Sequence, residues 1–350
     1  MELFIHFGIF KTGSSYLQSI CALNRELLAN NGYHFPTSSF ERALIRGNIS
    51  PGNSGKLKDY LAAGDVNRTM ALQQTWVQSA KAANCGKILI SGEALVHVFA
   101  TSSGLQTLVA AAEKSGITQI RAMGFFRNPV DHALSTFKHR GKGGKIKDFR
   151  HWVSKVYELP TLLDNFSQVH QHSPIHWTLR QYQKGGDFIN GAFFRDWLGI
   201  VDELRTDLPR VNESVTLSEV ELMVPFSSER RILASYVSEA LYNLPSHKKA
   251  TDKDLQKHYR QMAGEALEEN RAIFTRFNTF LPAGEALEIN YPETPVAEAK
   301  AAVLSAEQLR VITQEIGRLT TFPGSLYVLR RKIRNMIPRN LVRSLKKYWR

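Results

Sequence analysis

Three short apolar runs, residues 3–9, 87–91 and 118–126, are separated from one another by stretches of helical periodicity. Runs this short, closed by glycine or polar residues, read as buried strands. Strands alternating with helices predict a parallel, doubly wound α/β sheet flanked by helices. The first run holds Phe4, Ile5 and Phe7, is interrupted by His6 and stops at Gly8. After it Leu17, Ile20, Cys21, Leu27 and Leu28 recur at helical spacing, which predicts one helix from Ser14 until Asn31-Gly32 ends it.

Residues 37–70 are rich in Gly, Ser, Asn and Arg and include Pro51-Gly52-Asn53, so a long irregular connection over a ligand site is expected there. Helices are expected over 66–83 and 105–115. Beyond Leu159 the pattern turns helix-rich, with helices over 162–170 and 191–198 and a strand near 175–179. Residues 216–320 are almost all helical in pattern, and 255–280 suits a surface helix or helix pair. This divides the chain into a core, 1–215, a helical part packed on that core, 216–325, and a tail, 326–350.

The 350 residues, 43% of them hydrophobic, are ample for a buried core. Two cysteines, Cys21 and Cys85, have neither metal nor redox spacing, which fits a reducing cytoplasm. No leader or membrane-spanning stretch is read from the sequence. The net charge of +13 is unevenly spread, since nine of the excess cations lie in residues 326–350, where there is no acid. The other 325 residues carry +4, a balance that suits an enzyme with an anionic ligand and argues against a nucleic-acid binder.

The turn between the first strand and its helix reads Lys11-Thr12-Gly13-Ser14-Ser15. Gly13 admits close backbone approach, helix-start N–H groups attract anions, and Lys11 adds a mobile charge. Lys11 precedes the glycine, whereas the Walker A lysine follows it. A second unit follows the strand at 118–126. There Asn128 can cap a helix, Pro129 suits its first turn, and Val130, Leu134 and Phe137 line one face. Arg127 then stands at a strand's carboxyl end, where α/β sheets bind ligands, with Ser135 two turns along the helix. Such a pair can hold a terminal phosphate.

In these two elements the sequence resembles the sulfotransferases that use 3'-phosphoadenylyl sulfate (PAPS). The family carries Lys-[Thr/Ser]-Gly-[Thr/Ser]-[Thr/Ser] after its first strand, matched by Lys11 to Ser15, and an Arg and Ser eight residues apart, matched by Arg127 and Ser135. The likeness is motif-level over residues 1–140 and more diffuse to about 215, where Arg210-Val211-Asn212-Glu213-Ser214 is similar to a loop of bacterial members. Phe10 stands where the family commonly has proline.

The resemblance implies a P-loop NTPase-like sulfotransferase fold. It implies PAPS as donor, 3',5'-ADP (PAP) as product, no required metal, and donor contacts from Lys11, Thr12, Gly13, Ser14, Ser15, Arg127, Ser135, Asn212 and Ser214. The expected acceptor is a glycan, lipid or small molecule.

Sulfuryl transfer asks the protein to align the reacting atoms and to stabilise charge on the leaving phosphate. Lys11 and the loop amides are placed for that. By analogy with an oxyanion donor, losing Lys11 costs roughly 3 to 4 kcal/mol in the transition state. For the acceptor's base the first candidate is Glu93, just past the strand at 87–91, and the second is His6, although a lone histidine in an apolar strand is more often core. The rival readings are a P-loop kinase and a non-catalytic anion- or glycan-binding protein. In the tail, Val328, Ile333, Met336, Ile337, Leu341, Val342 and Leu345 interleave with the cations. That pattern fits peripheral attachment to an anionic inner membrane face, a tail packed on its own domain with a solvated basic face, or a segment that gathers an anionic polysaccharide acceptor.

Overall fold

From Leu3 to Phe7 strand β1 (Glu2–Gly8) is fully buried on both faces, and only a central strand with layers above and below meets that demand. The computed structural model describes residues 1–38, 41–45, 52–141, 146, 148–171, 173–208, 215–229, 231–292 and 303–320. After β1 come α1 (Ser14–Leu23), α2 (Arg25–Asn30), β2 (Tyr33–His34), α3 (Glu41–Ile45), α4 (Leu57–Ala62) and α5 (Val66–Ala82). Next are β3 (Lys87–Ser91), α6 (Leu95–Phe99), α7 (Ser102–Ser115), β4 (Gln119–Phe126) and α8 (Pro129–Gly141). Then follow α9 (Phe149–Lys155), α10 (Leu159–His170), β5 (His176–Gln181), α11 (Gly186–Asn190) and a π-helix, Gly191–Trp197.

All five strands are parallel, in the order β2-β3-β1-β4-β5. The doubly wound α/β architecture is therefore present. From β1 the chain departs toward β2, and from β4 toward β5 on the other side. The neighbouring carboxyl ends of β1 and β4 thus form the topological switch point.

One face of β1 presents Phe4 to Tyr33 and Trp197, beneath Leu17, Ile20 and Cys21 of α1 and Phe193 and Phe194 of the π-helix. On the other face Phe7 packs against Phe99, Phe166 and Trp177, with ring centroids 5.2 to 5.8 Å away.

The predicted single helix after Ser14 is in fact two. Asn24 breaks it by donating its side-chain amide to the carbonyls of Ile20 and Arg205 while its carbonyl takes the Arg205 N–H. These bonds compete with helix propagation. The connection over 37–70 is less irregular than expected, since it contains α4 and the start of α5.

The remaining helices are α12 (Leu217–Glu229), α13 (Arg231–Tyr242), α14 (Lys253–Leu267), α15 (Arg271–Asn278) and α16 (Ala306–Thr320). A 3₁₀ turn, Glu268–Asn270, separates α14 from α15, so the 255–280 stretch is a helix pair. Residues 281–292 are not helical, against the expectation for 216–320. Glu285 in this segment accepts from Arg180 Nε at 2.7 Å and Gln181 N at 2.8 Å, bracing the end of β5.

The chain divides into two compact units. The described residues within Met1–Thr136, Arg150–Asn212 and Tyr259–Pro295 form the sheet unit, and those within Phe137–Phe149, Glu213–His258 and Val296–Arg350 the helical one. In the helical unit Met223, Val237, Leu241 and Ile312 make the core. Buried Glu219 there accepts from Thr216 N and Gln308 Nε2 and faces Lys249 Nζ at 3.4 Å. No helix among the described residues is long and apolar enough to cross a membrane. The tail, 326–350, lies outside the described residues.

Candidate functional site

β1 ends at Gly8, where a Cβ would stand 3.1 Å from Thr12 Oγ1 and 3.2 Å from the Phe125 carbonyl. The chain then makes a tight loop. Ile9 N bonds to the Phe125 carbonyl at 3.4 Å and Thr12 Oγ1 donates back to the Ile9 carbonyl at 2.7 Å, tying the loop to β4 and to itself.

Two residues in the loop have left-handed backbone, Lys11 at φ 69° and Gly13 at φ 81°. For Lys11 that conformation costs about 1 to 2 kcal/mol, and such strain concentrates at ligand sites. Gly13 is also confined. A Cβ on it would lie 2.9 Å from Ile189 Cδ1 and 3.3 Å from Tyr182 Cε2.

Gly13 is the N-cap of α1, and no side chain caps the helix start. The first N–H groups of a ten-residue helix, and the positive end of its dipole, are therefore left for another acceptor. Ser14 Oγ adds to this. It is 2% exposed and without a hydrogen-bond partner among the described residues. A buried hydroxyl beside an uncapped helix start fits a bound anion. Ser15, in the same turn, is half-buried.

Arg127 leaves β4 at the other side of the switch point and donates from Nη1 to the Lys11 carbonyl at 3.3 Å. Its guanidinium carbon lies 5.5 Å from the ring centre of Tyr182, the residue after β5. Asn128 caps α8 as its sequence predicts, with Oδ1 accepting from Val130 N and Asp131 N. Ser135 is half-buried on α8, two turns further on. The structure thus joins Lys11 to Arg127 directly and places Ser135 on the same strand-to-helix unit as Arg127. Asn212 and Ser214 lie outside the described residues.

Glu93 stands in the turn between β3 and α6. Burial pushes its carboxyl up to about 7, and the positive charge of Lys11 opposes that shift. The turn is held from two sides. Gly92 N donates to the His6 carbonyl at 3.0 Å, and a Cβ on Gly92 would strike Ser54 Oγ. Residues 52–54 lie over the end of β3, where Asn53 accepts from Ser91 N at 2.6 Å and donates to the carbonyls of Leu89 and Pro36.

His6 has a different setting. It is wholly buried, bonds through Nδ1 to Ser91 Oγ at 2.8 Å and packs edge-on against Phe193, and burial pushes its pKa down to about 3. A ring so enclosed is neutral core.

Sequence reasoning missed Tyr182 and Asn53. Tyr182 follows a strand with few apolar residues, and Asn53 sits in a turn whose partners are 17 to 38 residues away. Among the described residues no cluster of His, Cys, Asp and Glu could hold a metal ion.

Fold and loop together define an α/β protein with a five-stranded parallel sheet and an uncapped, glycine-bearing helix start at its switch point. Comparison of the chain with family models, curated proteins and solved structures gave no match.

Proposed function

We propose that this chain is a sulfotransferase that draws its sulfuryl group from PAPS and delivers it to a hydroxyl or amine of a glycan, lipid or small metabolite. The carrying observation is the hydrogen bond from Arg127 to the Lys11 carbonyl, which unites the two motif elements at the switch point. An anion cradle alone would suit many ligands. A cradle joined to a second cation one strand away suits a ligand with two separated anionic groups, such as a 3'-phosphorylated nucleotide.

Lys11, the amides of Gly13, Ser14 and Ser15 and the hydroxyls of Ser14 and Ser15 would hold the phosphosulfate end, with Thr12 fastening the loop through the Ile9 carbonyl. Arg127 and Ser135 would hold the 3'-phosphate, and Asn212 and Ser214 complete the set by resemblance. PAPS supplies an activated sulfuryl group on a good leaving phosphate. Lys11 and the helix start stabilise negative charge at the 5'-phosphate, where it grows as the bond breaks. Glu93, ionised above about pH 7, takes the acceptor proton. Its lifted pKa matches a base that must accept a proton from a weak acid and release it afterwards. The protein works in the cytoplasm, and its basic tail, 326–350, rests on an anionic inner membrane face.

Calorimetric titration with 3',5'-ADP and with ATP, each with EDTA and with Mg²⁺, tests the donor. Metal-independent binding of 3',5'-ADP at least about tenfold tighter than ATP is expected. A preference for magnesium-ATP would make it a kinase. If the donor binds, an acceptor screen with radiolabelled PAPS follows, and absence of transfer to every class would leave a non-catalytic binding protein.

A further inference from the structure

We infer that Tyr182 is a positioning residue that sets Arg127 against the phosphate loop and so governs preference for the 3'-phosphate. The inference rests on the donor reading above.

The placement of Tyr182 is dictated by backbone. β5 pairs with β4 up to Phe126 opposite Gln181, and the next residue, Tyr182, donates its N–H to the Phe126 carbonyl. Phe126 is the residue before Arg127. The last rung of the ladder therefore fixes the ring beside the arginine. Glu285 holds the preceding two residues, with Oε1 on Arg180 Nε and Oε2 on Gln181 N.

The ring touches both halves of the site. Its face lies 5.5 Å from the Arg127 guanidinium carbon, within cation–π range, and its edge lies 3.3 Å from where a Gly13 Cβ would stand. Arg127 commits one N–H to the Lys11 carbonyl. A guanidinium has five N–H donors and a long flexible stem, so one bond to a carbonyl does not fix its plane. An aromatic face beneath it does. With the plane set, the other edge can meet an anion in two-pronged fashion.

Ring and bulk are separable. Tyr182→Phe keeps the π face, whereas Tyr182→Leu keeps apolar volume near Ile189 and Gly13 but removes it. The measurement is the ratio of dissociation constants for 5'-AMP and 3',5'-ADP in the full chain, with thermal melting as a check on folding. Tyr182→Phe should stay within about twofold of the unmodified protein, and Tyr182→Leu should lower the ratio about tenfold. In an Arg127→Ala background Tyr182→Leu should have no further effect on the ratio. If Tyr182→Leu does not fold, Tyr182→Met gives the same comparison.

Should the unmodified protein show no preference for 3',5'-ADP over 5'-AMP, the donor reading falls and this inference with it. A clear preference that Tyr182→Leu preserves, or that Tyr182→Phe and Tyr182→Leu lose equally, overturns the inference alone.

Discussion

The protonation of Glu93 is set by where it is held. Desolvation raises its carboxyl to about 7 against the pull of Lys11, so its charge state changes near neutrality. As a base it works only when ionised. The rate at saturating donor should therefore rise with pH and level off above about 7, and Glu93→Gln should lower it by roughly 10² to 10⁴ while leaving 3',5'-ADP affinity near normal. A pH–rate profile that is flat from 5 to 9 would remove Glu93 from the role.

The same shift has a consequence for stability with a definite sign. A carboxyl whose folded pKa exceeds its unfolded value keeps the proton longer when folded, so stability falls as pH rises from about 4.5 to about 7. Glu93→Gln lacks that loss. It should match the unmodified protein near pH 4 and exceed it above pH 7, by at most about 3 kcal/mol in urea unfolding. A stability difference that does not vary with pH would show that the shift is absent. Gly13 makes a steric prediction. At φ 81° and 2.9 Å from Ile189, a Cβ is strained twice, so Gly13→Ala should weaken 3',5'-ADP binding about tenfold or more by calorimetry.

At the level of elements, the clasp of Asn53 on β3 carries more than its position in a turn suggests. Its side chain answers one buried N–H and two carbonyls, of Ser91, Leu89 and Pro36. Asn53→Ala would leave all three without that partner, at roughly 2 to 4 kcal/mol, measurable as a lowered urea midpoint. A change under about 0.5 kcal/mol would mean that water replaces the side chain without loss.

The clasp also shows which elements could be read in advance. β1, β3 and β4 were legible because buried parallel strands are apolar on both faces. The cap of α8 was legible because Asn128 bonds to residues two and three ahead. What could not be read depends on distant partners. Asn24 breaks the first helix through Arg205, 181 residues away. β2 is two residues long, too short for any period. The π-helix has the composition of the α-helix predicted over 191–198. In the candidate site the loop and Arg127 were visible as local patterns, while Tyr182 and Asn53 act through contacts that only the folded sheet creates.

On the scale of the whole molecule, charge is the property that most distinguishes one part of this chain from another. The +4 spread over residues 1–325 is modest, and the proposed donor site would need little of it beyond Lys11 and Arg127. The nine cations of residues 326–350 are in excess of what a nucleotide requires, and their apolar neighbours offer a second kind of contact. Near an anionic bilayer each well-placed cation contributes about 1 kcal/mol, an attraction that salt screens within a Debye length of about 8 Å at physiological ionic strength. The full chain should therefore pellet with vesicles containing phosphatidylserine at low salt and be released at high salt. A chain ending at Ser325 should stay in the supernatant with its 3',5'-ADP affinity unchanged. If the shortened chain pellets as well as the full one, the attachment belongs to another surface. If instead nucleotide binding falls with the truncation, the tail contributes to the donor site and the separation of roles drawn from the charge distribution is wrong.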